Sequence, residues 1–156
     1  MPTFRLAVLS GKVECMATET KRRGVSVERV SAGRFEAVNS RGGRISFGTG
    51  GTDEFTPTEL LLAAIGGCTA IDIDIITTRR AEPESFEIVV DAEKVRDANG
   101  NRLADIVITY RVAFPPGSAG DAARAVLPNA VEQSRQRLCT VGRTVEIGTP
   151  IGATIE

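Results

Sequence analysis

The stretch from Thr56 to Arg80 constrains this chain most, because its pattern demands a long helix that other elements must enclose. Thr56 suits an N-cap and Pro57 the first helical position. Glu59, three residues after Thr56, completes a capping box. At about 100° per residue, Leu60, Leu61, Ala64, Ile65, Cys68, Ile71 and Ile75 fall in an arc of roughly 140°. Leu62, Ile73 and Ile76 lie outside it, so the spacing predicts a central helix covered on most sides. Arg79 and Arg80 suit its C-terminal end, and Pro83 forbids continuation.

The remaining segments supply candidates for the enclosure. Residues 1–55 read mainly as strands. Phe4 to Leu9 and Val13 to Thr18 form a hairpin-like pair, Ser26 to Val30 alternates, and Asn39-Ser40-Arg41-Gly42-Gly43 joins Arg34–Val38 to Arg44–Phe47. After the helix, read as 56–81, residues 85–114 form a strand pair about Asp97-Ala98-Asn99-Gly100-Asn101. Ile106, Ile108, Tyr110 and Val112 share one face of it. Ser118 is placed to cap a second helix over 118–138, in which Pro128 predicts a kink or break. Residues 139–156 carry Cys139 and a tail, Thr144 to Glu156, that reads as a short turn and a terminal strand. Several strands, helix, two strands, helix and strand make an α+β order within a single domain, 1–156.

Composition limits function more than fold. Of 156 residues, 42% are apolar and 25% charged, values that fit a globular domain. A net charge of −1 and only 4% aromatics argue against a nucleic-acid surface. Asp72 and Asp74 interrupt the longest apolar run, which argues against a membrane span. The first residues lack the charged start of a secretory signal, and three cysteines do not make a disulfide framework. A cytoplasmic setting is therefore expected.

The chain has no histidine, which removes Ser-His and Cys-His nucleophiles. A zinc site would have to use Cys15, Cys68, Cys139 and carboxylates, with no Cys-x-x-Cys pair to begin it, so no metal or bound cofactor is expected. Chemistry then rests on thiols. Cys68, inside the apolar arc, reads either as a small buried hydrophobe or as a reactive thiol. Gly66-Gly67 just before it costs about 1 kcal/mol per residue in a helix interior, which points to close approach by another element or a ligand. Cys68 lies too far from the helix start for the dipole to activate it, so a reactive thiolate there needs an arginine from elsewhere. Cys139 has Arg135, Arg137 and Arg143 nearby, yet a packed helix-end cysteine fits as well. Glu59 is explained by the capping box. Asp72 would raise the pKa of a neighbouring thiol and is expected to pair with an arginine or sit at an interface. Cys15 falls in the N-terminal hairpin.

The run Pro57-Thr58-Glu59-Leu60-Leu61-Leu62-Ala63-Ala64-Ile65-Gly66-Gly67-Cys68-Thr69-Ala70-Ile71-Asp72 resembles the OsmC/Ohr family. The family comprises the osmotically inducible and organic hydroperoxide resistance proteins. The likeness extends through the element order to Cys139, at a spacing from Cys68 similar to the family's. The resemblance implies an OsmC-like fold in which antiparallel sheets wrap long central helices in an intertwined homodimer. It further implies a peroxidase in which Cys68 becomes a sulfenic acid and Cys139 resolves it to a disulfide, reopened by an external dithiol reductant. Arg34, with Arg29 as the alternative, matches the family's activating arginine, and Glu59 is the nearest acidic support. Aligned back from Cys68 without a gap, the family's glutamate falls on Thr58. Thr140-Val141-Gly142 stands where the peroxidase branches carry a proline and then a serine. The alternative is a non-catalytic OsmC-fold dimer that binds a small ligand or serves a stress-related structural role.

Overall fold

The computed structural model describes residues 21–155. The expected strands at Phe4–Leu9 and Val13–Thr18, and Cys15 with them, lie outside the described residues. Three strands open the described chain: β1 (Val25–Ser31), β2 (Arg34–Asn39) and β3 (Arg44–Gly48), antiparallel in the order β1-β2-β3. Phe35 pairs with Phe47 across β2 and β3, and their rings stack at 5.8 Å. Asn39 sets the β2–β3 turn, its Oδ1 accepting the N–H groups of Arg41 and Gly43 at 2.9 and 3.0 Å. The connector then folds back, and Gly48 N–H donates to Phe55 C=O at 2.9 Å.

Helix α1 (Pro57–Thr77) starts where the capping box placed it. Thr56 N–H donates to Glu59 Oε2 at 2.7 Å, and Glu59 N–H to Thr56 Oγ1 at 3.3 Å. Its buried residues are Ile65, Gly66, Thr69, Ile73 and Thr77, which pack toward β4 (Ser85–Asp97) and α2 (Ser118–Gln133). Within one chain the buried face overlaps the apolar arc only at Ile65. Leu61, Ala64, Ile71 and Ile75, from the most apolar arc, are exposed within one chain, with Ile71 at 62% and Ile75 at 50%. Small residues explain the choice. A Cβ on Gly66 would lie 2.9 Å from Val90 Cγ2, so the bare backbone lets β4 approach there. Gly67 meets nothing within 4 Å.

By length and composition α1 is apolar enough to cross a membrane, so Asp72 and Asp74 exclude less than the sequence reading supposed. One or two such helices are weak signals, because the central helix of a water-soluble domain passes the same test.

β4 and β5 (Gly100–Ala113) form a long antiparallel hairpin about Ala98-Asn99, with Asp97 opposite Gly100 and an irregularity between Asp91 and Glu93. Asp105, at φ 49°, sits in that irregularity. Helix α2 follows. Its N-cap is Gly117, at φ 104°, and not Ser118, which is already helical and caps nothing. The predicted break at Pro128 does not occur: α2 runs through it. Pro128 is exposed, so the backbone carbonyl deprived of its partner can reach water. The irregularity comes later, as a π-helical turn over Ser134–Leu138. A third helix, α3 (Thr140–Glu146), then replaces the first part of the expected tail. The predicted terminal strand is absent among the described residues, and 147–155 carry no regular structure.

Candidate functional site: a pair of thiols

α1 and the π turn bring Cys68 and Cys139 together. Cys139 is buried, 4% exposed, and Cys68 is half-buried; neither is in a disulfide. Cys139 caps α3, its Sγ accepting Gly142 N–H at 3.2 Å. Burial pushes the Cys139 thiol above its ordinary pKa. The Gly142 N–H pulls it down, while the adjacent Cys68 thiol and the Asp72 charge push it up again. Cys139 thus favours the thiol form, with Cys68 as a neighbouring sulfur.

The surroundings of the pair are partly polar. Ser134 Oγ lies 2.8 Å from Asp72 Oδ2 and 2.9 Å from Thr69 Oγ1, and Thr69 Oγ1 lies 3.2 Å from Tyr110 OH. Asp72 thus meets a buried serine, and among the described residues no ion pair joins it to an arginine, the first of its two expected settings. A cleft of about 470 Å³ opens beside Cys139, bounded by Ile65, Ile108, Tyr110, Val131 and Arg135. It combines an apolar wall with one cation, Arg135, and two carboxylates, Glu132 and Glu146.

Within one chain, Arg34 pairs with Glu54 and not with a thiol: Arg34 Nε donates to Glu54 Oε2 at 3.0 Å, and Nη2 donates to Oε1. The hydrogen bond from Arg34 holds the Glu54 carboxyl below its usual range. Glu54 is a residue that sequence reasoning missed. Its only signal was a carboxylate at the end of a glycine-rich connector, and that connector folds back on β2 and β3. Glu59 remains in the capping box, its carboxyl held low by the N–H and then the hydroxyl of Thr56. Arg29 lies on β1, every residue of which is exposed.

A capped central helix backed by a long hairpin, with a second thiol delivered by the following helix, defines an α+β dithiol protein. The chain belongs to the OsmC-like protein family, whose model matches residues 48–154. A crystal structure of a hypothetical protein from Aquifex aeolicus VF5 is similar at 25% identity and a TM-score of 0.66, covering 83% of this chain and 91% of that one. An OsmC-like protein of unknown function from Vibrio cholerae has a TM-score of 0.65 at 14% identity, over 81% of this chain and 95% of that one. An OsmC-like protein from Mycoplasma pneumoniae has the same TM-score at 12% identity, over 82% and 89%. These last two likenesses concern the fold. No curated protein sequence matches the chain.

Proposed function

We propose that this protein is a thiol-dependent peroxidase that reduces organic hydroperoxides through Cys68 and Cys139, working as a homodimer. The observation that carries this reading is the meeting of the two thiols, 4% exposed Cys139 against half-buried Cys68, in a domain without histidine. Cys68 as thiolate attacks the distal peroxide oxygen. The O–O bond breaks, Cys68 becomes a sulfenic acid, and the departing alkoxide takes up a proton to leave as the alcohol. Cys139 then attacks the Cys68 sulfur. The S–O bond breaks, and hydroxide leaves as water with the Cys139 proton. An external dithiol reduces the resulting disulfide and is itself oxidised. A resolving thiol held protonated by burial does not compete with Cys68 for the oxidant, which suits the division of labour.

The homodimer is supported by what one chain leaves bare. Among the described residues Leu61, Ala64, Ile71 and Ile75 on the apolar arc of α1 are exposed, and so is every residue of β1, Val25 at 69%. A second copy of the chain is the occupant that would cover both. In that assembly Arg34, oriented by Glu54, supplies the positive charge that the Cys68 thiolate needs, and a reducing cytoplasm suits a recycling dithiol. A non-catalytic, ligand-binding dimer is favoured instead by one observation. Among the described residues no arginine is hydrogen-bonded to Cys68, although the cleft beside Cys139 has room for a small molecule.

One experiment decides between them. Free thiols are counted before and after one equivalent of cumene hydroperoxide, and the products are mapped by peptide mass. The peroxidase loses two thiols to a Cys68–Cys139 link and keeps Cys15 free, and Cys68→Ser abolishes the reaction. Persistence of all three thiols after prolonged exposure rejects the peroxidase and leaves the binding protein.

A further inference from the structure

We infer that Ser134 is a positioning residue for the thiol pair, tying the segment that carries Cys139 to α1 at Thr69 and Asp72. The inference deepens the proposed chemistry and rests on the pairing of Cys68 with Cys139.

Ser134 works through its main chain and its side chain at once. Its C=O accepts the N–H of Cys139 at 2.9 Å, the bond that closes the π turn. Its hydroxyl reaches Thr69, the residue after Cys68, and Asp72, one helical turn after Cys68. One serine therefore links the backbone of the second cysteine to the helical turn that presents the first.

Asp72 Oδ2 only accepts, and Ser134 Oγ is the donor toward both Asp72 Oδ2 and Thr69 Oγ1, so its single proton favours the charged partner and the Thr69 oxygen beside it is the weaker acceptor. Between Thr69 Oγ1 and Tyr110 OH either hydroxyl can donate. The four groups join β5, α1 and the π turn in one polar cluster that ends on a charge. No buried side-chain polar atom among the described residues lacks a partner.

Packing alone does not explain a serine at this site. The buried positions one and three turns earlier on the same face of α2 are Ala130 and Ala123, both fully buried, as Ser134 is. Alanine fills such a site with no polar group to satisfy, so the hydroxyl marks a function other than filling space. The π turn that begins at Ser134 is a rare irregularity of a kind frequently found at functional sites.

The test is a thiol–disulfide equilibrium with glutathione in a Cys15→Ser background. Oxidised glutathione takes two electrons from Cys68 and Cys139, its S–S bond breaks, and the two glutathione thiols released carry the two protons. The Cys68–Cys139 peptide pair is quantified by mass, and thermal melts followed by circular dichroism establish that each variant is folded. Ser134→Ala and Asp72→Ala are each expected to lower the equilibrium constant about tenfold, the worth of one charge-assisted hydrogen bond. Asp72→Asn, which keeps an acceptor for the serine, is expected to stay within about twofold of the parent. A merely structural serine would lower the melting temperature without moving the equilibrium. If Ser134→Ala does not fold, Asp72→Ala decides, since Asp72 is only half-buried. Folded variants with the parent's equilibrium constant overturn the inference, as does a parent that forms no Cys68–Cys139 link. A protein inert to cumene hydroperoxide that still shows the tenfold loss with glutathione keeps the inference and rejects the peroxidase.

Discussion

Gly120 shows how little latitude a single position can have. A Cβ there would sit 1.8 Å from Pro115 C=O, a backbone atom with no flexible end to yield. Gly120→Ala is expected to destabilise the protein by about 2 kcal/mol or more, read from urea unfolding. The sequence offered no hint of this, because the clash is with a turn whose path only the fold defines. Glu54 and Ser134 were hidden for the same reason. A carboxylate in a connector and a serine in a helix carry no periodic signal, and their partners lie far away in sequence: Arg34 on β2, and Thr69 and Asp72 on α1. The cysteines were legible because no histidine competes with them for the chemistry. Their meeting was implied only by the family resemblance, since the path that brings Cys139 to Cys68 depends on a π turn.

Elements were legible where their signals are local. The Thr56–Glu59 box fixed the start of α1 to the residue, and Thr56→Ala is expected to cost about 1 kcal/mol at pH 7. The Glu59 carboxyl is depressed by the N–H and hydroxyl of Thr56, so its contribution is complete above the unfolded carboxyl pKa of about 4.3. That contribution disappears as pH falls through the lower, folded value. The stability gap between parent and Thr56→Ala should therefore shrink from pH 7 to pH 3 in parallel denaturation curves. A gap that widens on acidification would contradict this assignment. The β4–β5 hairpin was equally local, its turn set by Asp97 and Gly100. The buried face of α1 was not, because hydrophobicity locates an apolar arc without saying which neighbour covers it. Pro128 misled in the opposite direction: an exposed helix absorbs one lost hydrogen bond, and the true irregularity falls six residues later.

At the scale of the molecule, the two faces of α1 belong to different interactions. One is buried against β4 and α2, whereas Leu61, Ile71 and Ile75 on the apolar arc are exposed among the described residues, the face that the proposed homodimer would cover. Ile71→Glu is expected to shift sedimentation from dimer to monomer while leaving the circular dichroism of the hairpin in place; an unchanged sedimentation coefficient would count against the dimer. The sulfur of Cys139 has a consequence of its own at this scale. It is the acceptor at the head of α3, and a sulfur drawn into a disulfide turns toward its new partner and away from Gly142. Oxidation should then free the Gly142 amide, which is expected to exchange with deuterium faster in the oxidised protein than in the reduced one. The last helix and the tail behind it would thus carry a readable record of the redox state to the surface, where a chemical event between two enclosed atoms becomes a change in chain order.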